Sequence, residues 1–297
     1  MITGAPSGIG RARLAALGRR PAHELITQIR GEYADAIAAT HALLTGTRWF
    51  SSEGVCILSA YVLVHGGVHA AWCWETVVGP LTDAGHHVQA IDLPGRAATA
   101  SAASHCTLSD YVDAIGEAVD SAPEPPVLVG HSMGGASTSQ FAERRGGDVK
   151  EVVYLSAVVP QNGESAVSTL LEAGPDSALL ADGAFVVAED QTVTIPPEHA
   201  RAGFYGRCEE ADVQAALRRI CREPIGPLAE ALQLGTSFAA VKKTYVGATH
   251  DRAVPPAFQQ VVAERAGAAF QMIDSDHSPF YSARAALIRT LLDHGQA

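Results

Sequence analysis

From about residue 55 onward, short runs of β-branched and apolar residues alternate with longer segments in which apolar positions recur every three or four residues. That alternation is the pattern of a mainly parallel sheet flanked by helices, the α/β class. The runs predict strands near 55–64, 87–92, 126–130, 151–156, 243–247 and 269–273. Helices fit 74–84, 109–121, 133–145, 255–266 and 282–294, most opened by Ser, Thr, Asp or Pro close to the first turn.

Two stretches break the alternation. Residues 160–240 show no βαβ repeat but several short helical patterns, at Ser165–Ala173, Glu209–Ile220 and Pro227–Leu234, as expected of a helical cap inserted over the sheet. Residues 1–54 form an N-terminal extension in which Ile26, Ile29, Tyr33, Ile37 and Leu44 predict one amphipathic helix over about 21–45. Its apolar face must be covered by the 55–297 domain or by a second copy in a homodimer. An Ala- and Ser-rich loop at 97–104 completes the organisation.

Composition narrows the function classes. With 21 Lys+Arg against 32 Asp+Glu among 297 residues, the net charge of −11 repels phosphate backbones, and the densest basic stretch, Arg11–Arg20, holds only four arginines. No nucleic-acid partner is expected. At 47% hydrophobic and 18% charged the chain has ample material for a core. The five cysteines, Cys56, Cys73, Cys106, Cys208 and Cys221, are odd in number and lack CxxC spacing, which fits neither a disulfide framework nor zinc. No apolar signal region opens the chain, and the most apolar run, Val55–Val64, is too short for a bilayer that needs about 20 residues. A soluble protein of a reducing, cytoplasmic compartment without a membrane partner is the expectation.

The chemistry concentrates in Pro126–Ser137, PVLVGHSMGGAS, where an apolar strand runs into Gly130-His131-Ser132-Met133-Gly134 and then a helix. This is G-x-S-x-G in strand–turn–helix context, which places a serine hydroxyl on a strained, exposed turn. Side chains at 130 and 134 would collide with neighbouring backbone, so glycine is required there. A hydroxyl is a poor nucleophile near neutrality and needs a base that is itself oriented by a carboxylate. After the strand at 243–247 comes Asp251, and after that at 269–273 comes His277; these are the expected acid and base for Ser132. His250 would leave the second loop without a base, Asp276 adjoins His277 and is poorly placed to orient its ring, and Asp274 is the substitute acid. Two backbone amides should hold the developing oxyanion: Met133, directly after the serine, and Gly67, in the loop His65-Gly66-Gly67-Val68-His69. His65 is read chiefly as holding that loop through hydrogen bonds.

Taken together, YVLVHGGVHAAWCW, AGHHVQAIDLPG, VLVGHSMGG and the final Asp…His pair resemble, in that order over about residues 58–297, the α/β-hydrolase superfamily, in the branch of small esterases and hydroxynitrile lyases that includes plant methyl esterases and bacterial carboxylesterases. The resemblance implies an α/β-hydrolase fold. The lyases of this branch carry threonine where this chain has Gly66 and lysine where it has Ser278, so the esterase pattern is the closer match. It implies a Ser-His-Asp hydrolase, without metal or organic cofactor, for an ester, lactone or thioester of a small hydrophobic molecule. The expected substrate-binding residues are His65, Val68, Trp74, Phe204 and Tyr205, with apolar cap side chains walling the pocket. A non-hydrolytic use of the same site, in ring closure or C–C cleavage, is the alternative. Residues Thr3–Gly10 resemble the nucleotide turn of short-chain dehydrogenases, but no strand precedes them and no Tyr-x-x-x-Lys pair follows, so bound NAD is not expected.

Overall fold

The computed structural model describes residues 59–96 and 105–296. The extension at 1–54 with its helix over 21–45, and the loop at 97–104, lie outside the described residues.

Six strands form the central sheet: β1 (Ala60–Val64), β2 (His87–Ile91), β3 (Val127–His131), β4 (Glu151–Leu155), β8 (Lys243–Ala248) and β9 (Ala269–Ile273). Their order is β2-β1-β3-β4-β8-β9, and every neighbouring pair is parallel. A parallel sheet is covered on both faces, which is why AYVLV, VLVGH and EVVYL read as continuous rather than alternating runs and are buried throughout. Alternate residues of one strand feed opposite layers. Val62, Val64, Leu128, Val152 and Tyr154 join one core with Ile115 and Phe141, whereas Tyr61, Leu63, Val127, Val129 and Val153 join the other with Trp74, Leu81, Leu287 and Leu291.

The flanking helices are α1 (Glu75–Asp83), α2 (Leu108–Ser121), α3 (Gly134–Arg145), α9 (Pro256–Arg265) and α11 (Arg284–Gln296), preceded by the short α10 (Pro279–Ser282). Helix α2 opens with a capping box in which Thr107 accepts from the Asp110 amide. Each expected helix and strand of the sheet layers is present among the described residues, with ends displaced by at most two residues; positions 55–58 of the first expected strand lie outside the described residues. Strand order reverses at β1, which has β2 on one side and β3 on the other, so the loops after β1 and β3 diverge and leave a crevice at the carboxyl ends of the strands.

The cap corrects its expected purely helical character. Helices α4 (Ala166–Leu171), α6 (Glu210–Leu217) and α7 (Gly226–Ala229) occupy parts of the expected segments, and α8 (Thr236–Ala240) leads back to the sheet. Between them lie α5 (Pro197–Phe204) and a three-stranded antiparallel sheet of β5 (Val186–Val187), β6 (Thr192–Thr194) and β7 (Glu223–Pro224). Strands of two or three residues are too short to show a period of two, and Pro196-Pro197 reads as a turn although proline suits a first helical turn. Among the described residues no helix is long and apolar enough to cross a membrane.

Candidate active site

Ser132 occupies the tight turn between β3 and α3 with φ +52°, a left-handed conformation that costs a non-glycine residue about 1–3 kcal/mol. The sheet holds it there. The Ser132 amide donates to Leu155 O at 3.1 Å, and its carbonyl accepts from the Val158 and Gly135 amides at 2.9 and 3.0 Å. A Cβ on Gly130 would come within 2.6 Å of Thr138 Oγ1, and one on Gly134 within 2.6 Å of His65 O, so neither position admits a side chain without movement.

The loops after β8 and β9 bring two further groups to this hydroxyl. His277 Nε2 lies 2.9 Å from Ser132 Oγ, and His277 Nδ1 lies 2.8 Å from Asp251 Oδ2. A carboxylate only accepts, so the proton sits on Nδ1 and the lone pair of Nε2 faces the hydroxyl. Asp251 is itself saturated: Oδ1 accepts from the Ala253 and Val254 amides at 2.8 and 2.9 Å, and Oδ2 accepts from Gln259 Nε2 at 2.9 Å. Gln259, buried in α9, is a supporting residue that sequence reading missed, because nothing local distinguishes it from any other helical glutamine. The two rival carboxylates lie elsewhere. Asp274 pairs with His250 at 3.0 Å on the surface. Asp276 is buried and accepts from the Ser278 amide, Ser282 Oγ, the Arg207 amide and Cys208 Sγ, so it fastens the His277 loop to the cap.

The loop after β1 is fixed one peptide at a time. His65 donates from Nδ1 to Gly66 O at 2.8 Å and accepts at Nε2 from the Leu93 amide at 3.1 Å. Because carbonyl and N–H of a trans peptide point in opposite directions, anchoring Gly66 O aims the Gly67 amide away from His65. His69 donates from Nδ1 to Gly67 O at 2.7 Å and accepts at Nε2 from Tyr205 Oη at 2.7 Å. Gly67 and Met133 are neighbours, since a Cβ on Gly67 would lie 3.3 Å from Met133 Cγ. Neither the Gly67 nor the Met133 amide has a hydrogen-bond partner among the described residues.

The five expected ligand contacts sit in different surroundings. Both ring nitrogens of the fully buried His65 are used by backbone, which leaves it a loop-holding role alone. Trp74 is fully buried in the core layer of Leu63 and Leu287, edge-on to Phe280 at 5.6 Å. Val68 buries its side chain and commits its amide to Glu223 Oε2 and its carbonyl to the Cys221 amide. Phe204 and Tyr205, from the end of α5, are also buried but lie against the imidazoles: the Phe204 ring stacks on His277 at 5.4 Å and meets His69 edge-on at 5.3 Å.

Burial decides the charge state of the surrounding imidazoles. Desolvation holds His69 down at about 4, and pushes His65 and His131 well below the ordinary histidine range. His131 donates from Nε2 to His277 O at 2.9 Å, leaving its buried Nδ1 unpartnered. These three rings are therefore neutral donors and acceptors near neutral pH, not cations.

A model of the alpha/beta hydrolase family matches residues 61–290. The chain belongs to this alpha/beta hydrolase family. Putative methylesterase 11, chloroplastic, of Arabidopsis thaliana is 27% identical over 245 residues, 78% of this chain and 63% of that one, so the chain spans under two thirds of that relative. Norfluorocurarine synthase 1 of Strychnos nux-vomica is 28% identical, with 75% of this chain and 90% of that one aligned. Polyneuridine aldehyde esterase of Rauvolfia serpentina is 28% identical, over 78% of this chain and 94% of that one. A crystal structure of polyneuridine aldehyde esterase matches with TM-score 0.71 at 26% identity, covering 79% of this chain and 98% of that one. The similarity is to carboxylic ester hydrolases within the family, alongside a synthase.

Proposed function

We propose that this protein is a serine hydrolase that cleaves a carboxylic ester, lactone or thioester of a small hydrophobic molecule through an acyl-enzyme. The observation that carries the reading is the unbroken run from Ser132 Oγ through the His277 ring to Asp251, with steps of 2.9 and 2.8 Å. In the first half-reaction His277 Nε2 takes the proton as Ser132 Oγ bonds to the carbonyl carbon, and the carbonyl oxygen gains the charge. The Gly67 and Met133 amides, without partners among the described residues, supply the two donors for that oxygen. The tetrahedral species collapses, the C–O bond to the alcohol breaks, and His277 returns its proton to the leaving oxygen. Water then attacks the acyl carbon by the same route and releases the acid. Asp251 keeps the ring in the required tautomer and offsets the imidazolium charge.

The apolar and uncharged surroundings of Ser132 support a hydrophobic substrate. Phe204, Leu170, Leu179, Ile195 and Val213 of the cap share one apolar cluster, and the buried imidazoles around Ser132 carry no charge to attract an anion. The names of the esterase relatives favour hydrolysis. Gly66 brings no hydroxyl and Ser278 no cation, so a departing cyanide would meet only neutral groups at these positions. The test is a panel of p-nitrophenyl esters of graded acyl length with a fluorophosphonate probe. Turnover with labelling at Ser132 is expected; labelling at another serine, or none, would sink the assignment. The non-hydrolytic alternative has one observation in its favour, the match to norfluorocurarine synthase 1, and predicts labelling of Ser132 with negligible ester turnover.

A further inference from the structure

Beneath the Gly67–His69 loop lies an ion pair that the proposed chemistry does not use. Arg96 Nη2 and Glu223 Oε2 are 2.5 Å apart, and both side chains are only 2% exposed. Glu223 belongs to β7 of the cap, and its carboxylate has three partners: Arg96, Tyr111 Oη donating to Oε1 at 2.9 Å, and the Val68 amide donating to Oε2 at 2.7 Å. Arg96 Nε in turn donates to His69 O at 2.8 Å, and the Cys221 amide, two residues before Glu223, donates to Val68 O at 2.9 Å. Taking a carboxylate and a guanidinium out of water is costly unless both are fully hydrogen-bonded, and packed apolar groups in such a place are often no less stable, so the pair is weak evidence for stability.

What it positions is read from the backbone. Val68 adopts φ +54°, an outlier for a β-branched residue that persists only where the surroundings over-determine it. Those surroundings are the cap: Glu223 takes its N–H and Cys221 its C=O. The Gly67–Val68 peptide is thus held at both ends, its carbonyl by His69 and its amide by Glu223. Relaxing Val68 toward ordinary φ would rotate this peptide and swing Gly67, whose own amide is one of the two proposed oxyanion donors.

We propose that Glu223, locked by Arg96 and Tyr111, is a positioning residue for the oxyanion loop, so that the cap sets the aim of the Gly67 amide. This rests on the reading of Gly67 as an oxyanion donor. A positioning residue of this kind acts on the transition state, where charge reaches the oxygen, more than on the bound ester. Glu223→Asp separates the two roles of the carboxylate, because it keeps a charge for Arg96 while its side chain, one methylene shorter, withdraws from the Val68 amide. The expected result is a kcat lower by about 10- to 100-fold with KM within about threefold, short of or near the loss for deleting an oxyanion donor outright. Affinity for an aryl trifluoromethyl ketone, which forms a tetrahedral oxyanion on the serine, should fall by a similar factor. Amide hydrogen exchange at Val68 should accelerate in the same variant.

If Glu223→Asp does not fold, Tyr111→Phe removes one restraint on the carboxylate while leaving the ion pair, and should show the same kcat and ketone signature at smaller size. A KM increase with unchanged kcat and unchanged ketone affinity would overturn the proposal, because a cap that merely covers the pocket predicts that pattern. Wild-type protein that fails to label at Ser132 overturns the hydrolase reading instead. In that event the exchange arm still decides whether Glu223 holds the loop: an unchanged Val68 rate in a folded Glu223→Asp sinks the positioning claim by itself.

Discussion

Two loops at the carboxyl ends of neighbouring strands each hold a non-glycine residue in the left-handed region, Ser132 at φ +52° after β3 and Val68 at φ +54° after β1. They are restrained by different parts of the molecule. Ser132 is tied to Leu155 and Val158, backbone of and just beyond the adjacent β4, within 26 residues of chain. Val68 is tied to Cys221 and Glu223, in the cap and some 155 residues away. The proposed nucleophile is therefore set by the sheet, and the proposed oxyanion donor by the segment at 160–240. A family can alter an insertion without disturbing its sheet, which gives one route by which the same strand ends serve different chemistries.

The largest expected effect strikes the sheet-held loop. Ser132→Ala should lower ester turnover by about 10⁴- to 10⁶-fold with the fold intact, since only a hydroxyl is lost. Circular dichroism and a thermal melt check the fold, and single-turnover assays the chemistry. Asp251→Asn should follow at about 10⁴-fold, through the wrong tautomer of His277. Asp276→Asn should cost less in kcat and more in stability, because Asp276 contacts backbone and hydroxyl groups and not the ring. A reversed order of those two would mean that His277 is oriented through its own loop.

The same contrast governs what could be read from the sequence. GHSMG is legible because the elbow's requirements are local: small residues at 130 and 134, a strand before and a helix after. Asp251 and His277 follow from counting strand ends, and the geometry joins them to Ser132. Strands β1, β3 and β4 announce themselves because both faces are buried. The short β5, β6 and β7 do not, and neither does the partner of Val68. Glu223 in the sequence is one of 32 acidic residues, and only the folded chain pairs it with Arg96, 127 residues earlier. Trp74 shows the converse: the motif places a tryptophan near the loop, and only the folded chain shows it packed in one core layer with Cys73, Val77 and Leu81.

Gly134→Ala tests how far the two loops are independent. The added Cβ would come within 2.6 Å of His65 O and 3.2 Å of Val64 O, main-chain atoms at the root of the oxyanion loop. Backbone cannot give way as a flexible side chain can, so a loss of about 1–3 kcal/mol in stability is expected, with reduced turnover because the displaced atoms lead into Gly67. Urea denaturation would read the first and steady-state kinetics the second. An unperturbed variant would mean that the elbow and the loop slide past one another freely.

Acid should loosen both loops together. His69 titrates at about 4 in the folded chain against 6.5 for the free side chain, and His65 and His131 are shifted in the same direction, all chiefly by burial. Between those values the unfolded chain binds more protons than the folded one, so stability is full above about pH 6.5 and falls as pH drops toward 4. Each such histidine contributes a slope of up to about 1.4 kcal/mol per pH unit across its window. Urea midpoints at pH 7 and pH 5 check this, and replacing His69 with Gln should flatten the dependence. A midpoint that does not move between those pH values would place a proton on a ring that the hydrogen bonds require to be neutral.

The smallest effect is expected at Asp274. It stands one residue beyond β9 and three before His277, and it pairs with His250, the residue next to Asp251. Proximity along the chain thus nominates it as strongly as Asp251. Geometry separates them: the Asp274 side chain is 73% exposed, where water screens its charge, and its partners are His250, Thr249 and Arg207 on the surface. Asp251 is buried with four hydrogen bonds, one of them to the His277 ring. Asp274→Asn should therefore leave kcat and KM within about twofold and stability within about 0.5 kcal/mol, the ordinary range for a surface change. A loss of turnover approaching that of Asp251→Asn would mean that the carboxylate supporting His277 during catalysis is not the one that touches it in the resting structure.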